Sequence, residues 1–134
     1  LIKEEPEIFH QMEQTISAVE GFLNKEMTLK ELKPVLASAR SAAKGLADSR
    51  TADPVALAAA RAVSTACAAA QTPTNAFGFL LYGAAACAYH SAGLTETAAT
   101  YDRLAEEELQ RALQSLQAAA VLDEAHPVSI RWNC

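Results

Sequence analysis

The chain has 134 residues, a net charge of −5 and a pI near 5.1. That length suits one domain, 1–134, with one core, and the acidic balance argues against direct binding of nucleic acid, which needs a basic face. About a fifth of the residues are alanine, the strongest helix former, so the expected fold class is all-α.

The first helix is expected from Glu5 to Leu23. Ile8, Phe9, Met12, Ile16, Val19 and Leu23 recur at spacings of three and four and mark its inner face. Thr28-Leu29-Lys30-Glu31 has the pattern of a capping box, so a second helix starts there and runs to about Ala47. Its inner face is Leu29, Leu32, Val35, Leu36, Ala39, Ala43 and Leu46. Pro34 either kinks this helix or moves its start toward Lys33.

Asp53-Pro54 is a cap followed by a proline in the first turn, and it opens a third helix reaching about Gln71. Arg61 falls on its remaining polar edge. Thr72-Pro73 repeats the same start and opens a fourth helix to about Ser91, with Gly93 as its C-cap. Ala62 to Thr95 contains no Asp, Glu, Lys or Arg, so these two helices form a buried, Ala-rich hairpin. Gly78 and Gly83 weaken the fourth helix, and close approach of a neighbouring backbone explains such a cost; the thin Ala-rich end is where that approach is expected. Phe77 to Gly93 is short and Ala-rich for a membrane span, so a core helix is expected and no membrane partner.

The fifth helix is expected from Thr95 to Leu122. Tyr101, Leu104, Ala105, Leu109, Ala112, Leu113 and Leu116 face inward, and Asp102, Arg103, Glu106, Glu107 and Arg111 face water. Arg103–Glu107 and Glu107–Arg111 are i,i+4 pairs. The tail is irregular, and Trp132 is expected to pin it to the bundle. The first residues, Leu1-Ile2-Lys3-Glu4-Glu5, do not read as a signal peptide. Cys67, Cys87 and Cys134 form no CxxC pair, and two buried free thiols fit a cytoplasmic protein.

No catalytic pattern is present: no GxSxG, P-loop, GxGxxG or HExxH. Glu106, Glu107 and Glu108 are successive on a helix and point about 100° apart, so they cannot converge on one metal. The polar residues of the hairpin are Gln71, Asn75, Tyr82, Tyr89 and His90. Inside an apolar pair of helices they need partners, so they cross-link the hairpin or meet a ligand.

Ala60-Arg61-Ala62, the run Ala68-Ala69-Ala70-Gln71-Thr72-Pro73-Thr74-Asn75-Ala76-Phe77-Gly78, and Tyr82-Gly83-Ala84 resemble the core of the Imm-5-like immunity proteins of bacterial polymorphic toxin systems. Phe22 to Thr28 and Leu32 resemble the turn between that family's first helices, and the resemblance spans about two thirds of the chain. Where the family carries two histidines this chain has Gln71 and Asn75. These can take over hydrogen bonds across the hairpin, whereas a toxin or metal contact made by the histidines would not carry over. The resemblance implies a non-catalytic protein that binds a cognate toxin and uses no cofactor. Asp102, Glu106, Glu107 and Glu108 are then the expected contact with a basic toxin, through charge steering. Two alternatives come from other classes. One is a small-molecule binder or enzyme with a pocket beside the hairpin; the other is a structural homodimer.

Overall fold

The computed structural model describes residues 5–49, 51–127 and 129, which form five α-helices and no strand. They are α1 (Pro6–Leu23), α2 (Leu29–Asp48), α3 (Pro54–Ala68), α4 (Ala76–Ala92) and α5 (Ala98–Ala119), with a single 3-10 turn, Pro73–Asn75, leading into α4. Trp132 lies outside the described residues.

Local chemistry sets most of the boundaries. Thr28 and Glu31 form the expected capping box, and Pro34 is carried inside a continuous α2. Pro34 lies on the exposed side of α2, away from the buried face of Leu32, Leu36 and Ala39. Asp53 accepts from the backbone N–H groups of Val55 and Ala56, both at 3.2 Å. Thr72 differs from expectation: its side chain makes no capping bond, and α4 starts at Ala76. The turn tightens instead, with Asn75 N–H donating to the Thr72 carbonyl at 2.9 Å. α5 begins at Ala98 because Thr97, two residues beyond Thr95, supplies the cap.

α1, α2 and α3 pack against one another, α4 packs along α3, and α5 touches α4 alone. The main core joins Met12 of α1, Ala39, Ala43 and Leu46 of α2, Ala56, Ala58, Ala59 and Ala60 of α3, and Ala86 of α4. A second cluster, Leu32, Leu36 and Cys67, closes the other end with Val19, Phe22 and Met27 against it. Alanine dominates because the α3 and α4 backbones run close together. A Cβ built on Gly78 would lie 3.1 Å from the Thr65 methyl, whereas one on Gly83 would meet Ala62 at an ordinary 4.0 Å. Gly78 is therefore the glycine whose site has no ordinary room for a side chain.

The inner face of α1 also departs from the expected pattern. Thr15 is fully buried, while Ile16 and Leu23 are exposed. The face runs through Ile8, Met12, Thr15, Val19 and Phe22. Burial of Thr15 is tolerable because its hydroxyl donates to the Gln11 carbonyl at 2.7 Å. α5 has no fully buried residue, and Leu113 and Leu116 are 46% and 68% exposed. Because it packs on α4 alone, no second described helix covers its apolar stripe. Among the described residues no helix is long and apolar enough to cross a membrane.

Candidate functional site

Two surfaces carry the chemistry. The first lies along α2 and α3, where α4 begins. α2 places Lys33, Ala37, Arg40 and Lys44 in one stripe, spaced four, three and four residues apart. This is the polar counterpart of the core stripe Leu32, Leu36, Ala39 and Ala43. Opposite it, α3 presents Arg61, whose guanidinium carbon stands 5.7 Å from the centre of the Tyr82 ring. That contact holds a planar cation over an aromatic face.

Between these elements lies a cavity of about 450 Å3, with Arg40, Lys44, Asp48, Arg61, Asn75 and Tyr82 in its wall. A neighbouring cavity of about 340 Å3 is lined by Lys33, Gln71 and Thr72. Arg40 and Ala68 belong to both walls, so the two form one groove. Both are open to solvent. Among the described residues, Lys33, Arg40, Lys44 and Arg61 have no carboxylate within ion-pair distance.

The second surface is the outer face of α5, and here the charges are already balanced in part. Arg103 pairs with Glu107 as expected, but Arg111 pairs with Glu108 rather than Glu107. The Arg111 guanidinium reaches both Glu108 oxygens, a forked arrangement that one turn of helix permits. Hydrogen bonding to Arg111 holds the Glu108 carboxyl below its ordinary pKa. Glu106 and Glu107 share a shallow depression with Arg103 and Arg111, so the signs alternate. Asp102 lines a separate cleft of about 200 Å3 between α4 and α5. Asp102 and Glu106 are the members of the expected set that make no ion pair among the described residues.

The hairpin residues divide between these surfaces. Asn75 and Tyr82 line the larger cavity of the groove and Gln71 the smaller. Tyr89 turns toward α5, packing edge-on against Tyr101 with ring centres 5.3 Å apart. The Tyr101 hydroxyl donates to the Gly93 carbonyl at 2.8 Å and accepts from Glu96 N–H at 3.0 Å, which fastens the α4–α5 turn. His90 is exposed in the last turn of α4. The four cations of the groove were not expected as a group. Their period on α2 was readable, but their convergence with Arg61 depends on how α2 packs against α3.

Two of the three thiols fall among the described residues, and Cys134 lies outside them. Cys67 is buried, and burial pushes its pKa up. Cys87 is half-buried; burial first, and then the adjacent Glu108 carboxylate, raise its pKa as well. Among the described residues no three His, Cys, Asp or Glu side chains are grouped to hold a metal ion.

The sequence pattern of the family described as Imm-5 like putative immunity protein matches residues 1–119. No curated protein and no solved structure matches the chain. The match takes in every helix, and the chain belongs to this family.

Proposed function

We propose that this member of the Imm-5 like family is an immunity protein that neutralises a cognate bacterial toxin by binding it, in the cytoplasm of the cell that makes both. The family match over residues 1–119 carries this reading. Two features support a binding role: charge concentrated on the surface of a small helical bundle, and an open groove beside the Ala-rich hairpin. The acidic face of α5 is one candidate contact. With Glu107 and Glu108 engaged by arginines, Asp102 and Glu106 are left to steer a basic partner.

The direct test is growth rescue with the toxin candidate encoded beside this gene. Co-expression is expected to restore growth against that toxin and not against an unrelated one. Absence of rescue, with the toxin active and this protein soluble, rejects the reading for that pair.

One observation favours a second reading. The cavity of about 450 Å3 lined by Asn75 and Tyr82 is within the size range of small-molecule sites. Its wall is charged and open, whereas such sites are mostly apolar and enclosing, so the binding of a protein partner is preferred.

A further inference from the structure

We propose that the groove between α2 and α3 is the surface that docks the toxin, and that it takes an acidic segment of that partner, an extended run carrying at least two carboxylates. This deepens the immunity reading and rests on it.

The charge balance is the first argument. The protein is acidic overall, yet Lys33, Arg40, Lys44 and Arg61 gather around one groove and make no ion pair among the described residues. The arginines of α5 behave differently, since each is matched by a glutamate on its own helix. Unmatched like charges close together repel one another, and a ligand carboxylate relieves that repulsion.

Shape is the second. From Lys33 to Lys44 the row of cations extends about 16 Å along α2, at 1.5 Å per residue. A single small anion cannot meet both ends, but about five residues of extended chain can. Ala37, Ala43, Ala47 and Ala68 line the walls, and such small side chains leave room for a backbone. Gln71 and Asn75 offer amides near that path, able to donate to and accept from a peptide.

The third argument is pre-organisation. Tyr82 gives the Arg61 guanidinium an aromatic face to lie against, and that planar fork matches a carboxylate in two-pronged fashion. Asp48 also lines the larger cavity and disfavours a carboxylate beside it, so the acidic side chains of the segment are directed toward Arg40 and Lys33, which line the smaller cavity without Asp48.

The experiment uses the whole protein and the purified toxin candidate encoded beside its gene, inactivated if needed. Affinity is measured for wild type, for Arg40→Glu with Arg61→Glu, and for Glu7→Lys with Glu13→Lys on α1. All four positions are exposed, and thermal melts check that each variant folds. The groove pair is expected to weaken binding on the order of 100-fold, as for loss of desolvated charge pairs at an interface. The α1 pair is expected to change it less than about threefold, as for solvated charges away from the contact. A groove pair that binds within about threefold of wild type overturns the inference and leaves the immunity reading standing. Failure of wild type to bind overturns both. A parallel titration with citrate separates a small polyanion from a peptide: citrate bound in the groove with toxin affinity unchanged in the groove variant also overturns the inference.

Discussion

Lys25 stands at φ 64°, the left-handed region that L side chains avoid. It follows the Asn24 C-cap of α1, with its N–H donating to the Phe22 carbonyl at 3.0 Å and Glu26 N–H donating to Gly21 at 2.8 Å. That bond pair defines the helix ending in which glycine is the preferred residue. Lys25→Gly is therefore expected to stabilise the fold by about 1 kcal/mol, the approximate cost of left-handed backbone. A denaturant titration checks it; an unchanged or lower midpoint contradicts it. Glu31 makes a second prediction. Hydrogen bonds from the Thr28 hydroxyl, at 2.7 Å, and from its backbone N–H, at 2.8 Å, lower the Glu31 pKa. A carboxyl with a lowered folded-state pKa stabilises the fold fully above its ordinary titration range. The contribution is lost as pH falls through the lowered value. Wild type is expected to melt above Glu31→Gln at neutral pH, with the gap closing in acid. A gap that does not move with pH contradicts this origin.

At the scale of the helix, the five elements and the hairpin at their centre were readable because several signals agreed. Thr28 with Glu31, and Asp53 with Pro54, announce helix starts, while the uncharged run from Ala62 to Thr95 announces the close pairing of α3 with α4, although Phe77 and Leu81 within it stay exposed. Where only one signal spoke, tertiary packing decided. Ile16 fits a helical period as well as Thr15 does, and hydrophobicity favours Ile16. Yet Thr15 is inside, its hydroxyl satisfied by its own helix. Likewise Leu113 and Leu116 continue a good apolar stripe, but α5 packs on α4 alone, so no second described helix covers it and both stay exposed. The groove was only half readable: the period of Lys33, Arg40 and Lys44 is local, while their meeting with Arg61 is not. This difference is measurable. Leu32→Ala, at a position with no exposed surface, is expected to cost about 2–5 kcal/mol. Leu116→Ala is expected to stay within about 0.5 kcal/mol of wild type. Equal losses at the two sites would mean that α5 is covered along its full length.

Across the whole molecule charge is segregated. α1 carries Glu7, Glu13 and Glu20 with no lysine or arginine, α5 mixes both signs, and the α2–α3 groove is basic. Such an arrangement suits recognition by complementary charge, in which an acidic body repels acidic bystanders while one basic groove selects an acidic segment. Neutralisation by such binding consumes the immunity protein one for one, which sets it apart from an enzyme that modifies the toxin. The decisive measurement is a titration of purified active toxin with this protein, followed by activity and by the mass of the recovered toxin. The account predicts that inhibition is complete at one equivalent and that the toxin is recovered chemically unchanged. Inhibition at a small fraction of an equivalent, an altered toxin mass, or full activity in the presence of excess protein would contradict it.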